Sequence, residues 1–460
     1  MLRSLEPTED AVSHILYREN LNRTLPVAVA GDGPYLIDAA GKRYIDASAG
    51  AAVSCLGHSN EAVRAAIREQ SDRLAFAHSR FFTTEAAEKL ADDLVAGAPG
   101  ELSKVWLTCG GSESVEAALK LTRQYFVESG QAQRKFVIAR RQGYHGNTFG
   151  ALSASGNIWR RRQFEPVLID SIQHIAPCYA YRDKAAAETA EAYGLRMANE
   201  LETKIIELGT DKVAAFIAET VVGATLGAVA AAPGYFKRIR EICDRYGVLL
   251  ILDEVMCGMG RTGTRYACEQ EGIAPDMLTV AKGLGAGYQP IGALLVGEKI
   301  HRAIERGGNV VMHGHTFTGH PVACAAALAT QNEIRKHDLL ANVVRQGKAL
   351  AAALTDRFGN HPNVGDIRGR GLFMALEFVA DRRTKAPFDP ALKINAKIKE
   401  VGMENGLICY PAGGLVDGKS GDHVMIAPPF IVEAQHIAEI VDKLGRTVDA
   451  VLRDAMKKAA

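Results

Sequence analysis

The sequence predicts an α/β protein: a large, mostly parallel sheet domain sandwiched by helices, with a smaller α+β domain beside it. Two patterns predict this. Between residues 100 and 330, short apolar, β-branched runs alternate with longer stretches of helical period, as parallel strands joined by covering helices do. Beyond residue 330 the alternation stops, and Val364 to Val379 reads as an antiparallel hairpin followed by helical stretches.

Taken in order, the strands expected in the large sheet are Lys104 to Cys109, Lys135 to Ala139, Ala214 to Ala218, Val248 to Asp253, Leu278 to Ala281 and Ala293 to Val296. After the first, Val115, Ala118, Leu119, Thr122, Tyr125 and Phe126 recur at helical spacing, so Ser112 to Ser129 is expected as an amphipathic helix. A second helix, Tyr235 to Tyr246, leads into the strand at Val248. Lys393 to Asn405 and Val432 to Met456 carry the helical period in the C-terminal part. We expect three parts: residues 1–60 contributing to the small domain, 61–330 forming the large domain, and 331–460 completing the small one.

Of the 460 residues, 54 are Lys or Arg and 53 are Asp or Glu, a net charge of +1. Such balance provides no sequence-wide field for nucleic acid or an anionic membrane, so charge recognition falls to local pockets. The longest uncharged apolar stretch, Thr220 to Phe236, contains Pro233 and falls short of the ~20 residues a membrane helix needs. Met1 to Asp10 carries Arg3, Glu6, Glu9 and Asp10, unlike a secretory signal. The eight cysteines form no C-x-x-C pair, which points to reduced packing thiols in a cytoplasmic protein. In that compartment Asn22-Arg23-Thr24 is a chance glycosylation match.

Three constellations suggest chemistry. Gly110-Gly111-Ser112-Glu113 lies between a strand and a helix start, where close backbone approach and free N–H groups suit a phosphate; the plainer reading is a turn with a serine cap. Asp253-Glu254 ends the apolar run Val248 to Leu252, at the strand end where open α/β sheets bind ligands. Successive strand residues face opposite ways, so one of the two serves the site. We assign that place to Asp253 and expect Glu254 in an ion pair at the surface or behind the site. Lys282 ends the strand after Ala281 and precedes Gly283, Gly285 and Gly287. On its own it reads equally as a solvated charge beside a loop, but with Asp253 it places an amine and a carboxylate at one sheet edge.

Two matches mislead. Gly258-Met259-Gly260-Arg261-Thr262-Gly263 has the spacing of a dinucleotide fingerprint, which would mean an NAD-dependent dehydrogenase, but it does not open a helix and reads as a turn. His313, His315 and His320 lack the i, i+4 spacing of helical metal ligands, so no metal is expected.

Together these residues resemble the class III (omega-type) pyridoxal-phosphate aminotransferases of fold type I, over nearly the whole chain. The resemblance rests on Gly110 to Glu113, Tyr144-His145-Gly146, Glu219, Leu250 to Val255, Ala281 to Leu284 and Gly314 to Pro321, in that order and spacing. It implies pyridoxal 5'-phosphate as cofactor and a transaminase passing an amino group from an amine or omega-amino acid to a 2-oxo acid in two alternating half-reactions. It also implies Lys282 as Schiff-base lysine and proton shuttle, and Asp253 against the pyridine nitrogen. Val255 and Tyr144 would pack the two faces of the ring, with His145 beside it. Gly111 and Ser112 would bind the phosphate, with Thr316 completing that site from a partner subunit, while Glu219 sits near the ring hydroxyl. Active sites shared in a homodimer, or in a tetramer of such dimers, would follow. The same apparatus also runs aminomutases and decarboxylases.

Two departures bear on substrate. Ala52 stands where many amine:pyruvate members carry a bulky aromatic, implying a roomier pocket. The segment Cys409 to Gly414, which includes Tyr410, runs on to Gly421-Asp422-His423 without the family's mobile arginine. Carboxylate binding then falls to Arg80 or to the Arg160-Arg161-Arg162 cluster, the latter otherwise a solvated loop. With no second cation, pyruvate is expected to be preferred over 2-oxoglutarate.

Overall fold

The structure, a computed structural model, describes residues 14–16 and 25–459. The expectations for Met1 to Asp10 and for the Asn22-Arg23-Thr24 sequon lie outside these described residues. Seven strands form the central sheet: β1 (Leu102–Thr108), β2 (Phe136–Arg140), β3 (Ile172–Ile175), β4 (Val213–Glu219), β5 (Leu249–Asp253), β6 (Met277–Val280) and β7 (Gly292–Gly297). Their order across the sheet is β1-β7-β6-β5-β4-β2-β3. The pairings from β3 across to β6 are parallel, whereas β7 runs antiparallel to both β6 and β1. The reason is length. A parallel return needs a crossover of a dozen or more residues, usually an α-helix, and the glycine-rich connection from β6 to β7 has eleven residues and only a single 3-10 turn, Lys282–Leu284.

The apolar runs of β4 and β5 are buried along their whole length, as strands covered on both faces must be. Parity sorts their side chains. Leu250 and Leu252 join the core under helix α2 (Tyr235–Tyr246), with Phe236, Ile239 and Ile242. Leu249 and Ile251 pack on the other face with Val115, Ala118 and Leu121 of helix α1 (Gly111–Glu128). Asp253 continues the α1 series, and so does Glu219, two residues beyond Ile217. β3 is absent from the sequence expectation because Ile172-Gln173-His174-Ile175 is short, polar in the middle and at the sheet edge.

A second sheet, wholly antiparallel, joins Val364–Arg370, Phe373–Phe378, Asp422–Ile426 and Tyr410–Gly413. Helices Leu339–Phe358, Ile394–Glu404 and Ala434–Ala459 accompany it. The N-terminal strands join this unit: Arg43–Asp46 pairs in parallel with Leu407–Ile408, and Ile45 shares a core with Phe378 and Ile440. The boundary expected at residue 330 falls inside the helix Pro321–Lys336. That helix has two apolar faces, Ala323 and Ala327 on the large core and Ala326 and Ile334 on the small one, so the units share an element there rather than a linker. All eight cysteines are unpaired, and among the described residues no helix is long and apolar enough to cross a membrane.

Candidate active site

The strand register builds the floor of the site. Asp253 pairs with Glu219 on one side and with Thr279 on the other, and Lys282 follows two residues after the end of β6. Three strand ends thus deliver two carboxylates and an amine to one edge. They line a cavity of about 360 Å³ with Gly110, Gly111, Ser112, Tyr144, His145, Val255 and Gln289. Lys282 has φ +45°, a left-handed conformation a lysine adopts only when its surroundings impose it, at a strain of roughly 1 kcal/mol.

Asp253 is buried, its Oδ2 2.7 Å from His145 Nδ1 and its Oδ1 accepting the Val255 N–H at 3.0 Å. His145 is also buried, its N–H donating to Ser155 Oγ at 2.8 Å, while its Nε2 has no partner among the described residues. Glu219 accepts from the backbone N–H groups of Tyr144 (3.0 Å) and Gly223 (2.8 Å). Burial pushes its carboxyl above the usual range, against the opposing pull of His145. Burial likewise lowers the Lys282 ammonium pKa, only partly opposed by the Asp253 and Glu219 carboxylates, so the amine is available neutral nearer physiological pH.

The wall opposite is the start of α1, whose first-turn N–H groups have no intrahelical acceptor and face an anion naturally. Ser112 Oγ accepts the Asn147 N–H at 3.1 Å, tying this turn to the segment that carries Tyr144 and His145. Gly111 is required here: a Cβ on it would lie 2.7 Å from a Val255 methyl. Val255 therefore stands directly against the helix start.

Glu254 corrects an expectation. It is fully buried rather than at the surface, and it forms hydrogen bonds rather than an ion pair: it accepts from the N–H groups of Ala267 (2.6 Å) and Cys268 (2.7 Å) and from Thr220 Oγ1 (2.9 Å). Burial pushes its carboxyl up to about 7. Adjacent carboxylates thus divide the labour, Asp253 facing the cavity and Glu254 holding the loop beyond β5. That loop includes Gly258 to Gly263, which is a turn that opens no helix.

The remaining candidates lie apart from this floor. Thr316 is exposed and is not on the wall of its own chain's cavity. Ala52 is buried against Met256, Phe373 and Met425, while its neighbour Val53 reaches the wall. Tyr410 is half-buried beside the same cluster, and Arg80 sits exposed on a turn. Of the three consecutive arginines, Arg161 donates to the carbonyls of Ser153 and Ser155, Arg162 is exposed, and Arg160 lies over the Tyr144 ring, 4.7 Å from its centroid. Val53, Met256, Gln289, Pro290 and Ile291 also line the wall. No sequence pattern marks them, because they come from irregular segments. His313 and His315 meet edge-on at 4.9 Å, and among the described residues no group of three or more His, Cys, Asp or Glu could hold a metal ion.

Residues 17–448 match the family model described as aminotransferase class-III. An uncharacterized aminotransferase of Schizosaccharomyces pombe is 45% identical, over 95% of each chain. Among solved structures, an (S)-enantioselective omega-transaminase from Thermomicrobium roseum superposes with a TM-score of 0.90 at 34% identity, covering 96% of this chain and 97% of its own. The omega-transaminase of Pseudomonas jessenii in complex with PMP gives 0.88 at 33% identity, with 94% of each chain covered.

Proposed function

This chain belongs to the class III aminotransferases, whose cofactor is pyridoxal 5'-phosphate, and on that premise we propose that it moves an amino group from an amine or omega-amino acid to a 2-oxo acid, with pyruvate favoured over 2-oxoglutarate. The observation that carries the reading is the convergence of Lys282, Asp253 and Glu219 from three strand ends, opposite a helix start. The donor set fits the cofactor: a buried carboxylate for a ring nitrogen, free N–H groups for a phosphate, an amine with a lowered pKa for an aldehyde, and a valine-backed slot for a flat ring. When bound, the cofactor supplies that aldehyde and an electron-accepting ring.

The residues of the chain do the rest. Asp253, oriented by His145, keeps the ring nitrogen protonated, since an adjacent anion favours the cation. Lys282 Nζ would carry the proton from the substrate carbon to the carbon of the cofactor aldehyde in one half of a ping-pong cycle, and in the opposite sense in the other. Gly111 and Ser112 would bind the phosphate, Tyr144 and Val255 would enclose the ring, and Glu219, which accepts the Tyr144 backbone N–H, would serve the ring hydroxyl. The unit built on the central sheet, up to the shared helix Pro321–Lys336, would hold the cofactor, and the unit built on the second sheet would flank it.

The enzyme works as a cytoplasmic homodimer in which Thr316 of each subunit completes the neighbour's phosphate site. The exposure of Thr316, Phe317 and Met312 together with Phe81 and Phe82 supports this. A donor panel scored against pyruvate and 2-oxoglutarate tests the reaction: pyruvate should give the higher kcat/KM. A strong preference for 2-oxoglutarate refutes the acceptor clause, and no amino transfer from any donor refutes the whole. Light scattering tests the assembly, where a fully active monomer would remove the shared site.

A further inference from the structure

Among the described residues the cavity wall carries two carboxylates and a single side-chain cation of the Lys or Arg type, Lys282, which the chemistry already occupies. A substrate carboxylate entering there meets Asp253 and Glu219 and carries the penalty of a buried charge without a cation of its own. A second cation is required at the edge of this space.

Arg160 meets the requirement. Its guanidinium carbon lies 4.7 Å from the centroid of Tyr144, a wall residue, and its charge is felt at Lys282, where it opposes protonation. The side chain is half-buried and forms neither a hydrogen bond nor an ion pair with a carboxylate among the described residues. A guanidinium with one face on an aromatic ring still presents its N–H edge, the geometry that grips a carboxylate through two parallel hydrogen bonds.

The support of Arg160 is built rather than loose. It sits in the short helix Ile158–Arg161, whose cap Asn157 accepts the Arg160 N–H at 3.2 Å. Asn157 Nδ2 donates to Gln142 Oε1 at 2.9 Å, and Gln142 Nε2 donates in turn to the carbonyls of Gly414 (3.1 Å) and Leu415 (3.2 Å). Gly418 packs so closely that a Cβ on it would lie 2.7 Å from Ile158 Cβ. Two segments remote in sequence thereby fix the helix that aims Arg160. Neither Arg160 nor Arg80 is on the wall itself, but Arg80, the rival candidate, is exposed and lies over no ring of a wall residue among the described residues.

We propose that Arg160 is the residue that binds the substrate carboxylate, held over Tyr144 at the rim of the cavity. The proposal rests on the aminotransfer reading above. Its ligand chemistry is one carboxylate, from either the 2-oxo acid acceptor or the acidic end of an omega-amino acid donor.

Paired half-reactions of the holoenzyme, followed by cofactor absorbance, test it. Pyruvate is compared with propanal, and 4-aminobutanoate with butylamine, for wild type, Arg160→Gln, Arg160→Lys and Arg80→Gln, with melting temperatures checked for each. Arg160→Gln should lose roughly tenfold or more in kcat/KM for the charged member of a pair and stay within about twofold for the neutral one. Arg160→Lys should recover part of that loss, and Arg80→Gln should change neither. A split confined to the first pair assigns the carboxylate to the acceptor, and one confined to the second assigns it to the donor. Equal losses on charged and neutral members, or none on either, overturn the proposal. Wild-type protein that transfers no amino group from any amine overturns the functional reading beneath it instead.

Discussion

The floor of the cavity and its rim are positioned by different physics. On the floor, Glu219 and Asp253 are neighbours because β4 and β5 are in register, and every residue leading up to them is buried. At the rim, Tyr144 and the 414–421 loop are irregular backbone and Arg160 sits on the one-turn helix Ile158–Arg161, tied to that loop by a relay of side-chain amides from Asn157 through Gln142. A ladder repeats one geometry and tolerates little variation, whereas a relay of amides can be rebuilt around another ligand. On the proposed function, the floor would set the reaction type and the rim the choice of substrate.

The largest effect that would break this division belongs to Lys282. Lys282→Ala should abolish multiple turnover while leaving the phosphate-anchored cofactor able to bind, because the covalent link and the proton carrier are removed together. Borohydride fixing the cofactor to another lysine would show that the floor has been misread. Asp253→Asn comes next: the proton-transfer step should slow by roughly 100-fold to 1,000-fold, with a far smaller change in cofactor affinity, since a neutral amide cannot stabilise the protonated ring. An unchanged single-turnover rate would remove the carboxylate from the ring nitrogen.

Smaller effects sharpen the comparison. Gly111→Ala drives a methyl into Val255 and should weaken cofactor binding by roughly tenfold, about the 1–3 kcal/mol of an overpacked contact. Adding Val255→Ala should restore much of it, and equilibrium dialysis of the single and double variants reads the difference. Beneath the rim, His423 is fully buried with both ring nitrogens unpartnered among the described residues, and burial lowers its pKa to about 3. Its neutral form therefore stabilises the fold above pH 6.5, and that contribution is lost as pH falls toward 3. Replacing it by leucine should flatten this dependence, narrowing the gap by roughly 2–3 kcal/mol at pH 4.5 in urea midpoints. Identical pH profiles would mean that the ring finds a partner when charged. The smallest effect is Arg80→Ala, expected to leave acceptor kinetics within about twofold, because that guanidinium stands away from the wall.

What was legible in the sequence follows the same division. The runs Val248 to Asp253 and Ala214 to Ala218 announce buried parallel strands, and their polar ends announce the floor, because period and burial are local properties of the chain. Helix α2 appears at its expected limits, Tyr235 and Tyr246, since Gly234 and Gly247 stop it in left-handed turns at both ends. Arg160 was legible only as one of three adjacent arginines. Which one lies over Tyr144 depends on a local cap at Asn157 and on a glycine at 418, the latter a contact across more than 250 residues that no local pattern carries. Glu254 was misplaced for a related reason. Its partners are backbone N–H groups near residue 267, and a sequence does not display which backbone groups will be left to satisfy.

The adjacency of Asp253 and Glu254 also constrains how this chain can change over generations. Point replacements within Leu249 to Leu252 by other apolar side chains alter volume and leave parity intact. A one-residue insertion or deletion in that run exchanges the two carboxylates, sending the loop-holding one toward the cavity and the cavity-facing one into the loop, with hydrophobicity hardly altered. Divergent descendants should therefore accumulate substitutions along β5 freely while keeping its length constant, and tolerate indels instead in the exposed turn around residues 381–384, where no such pairing is at stake.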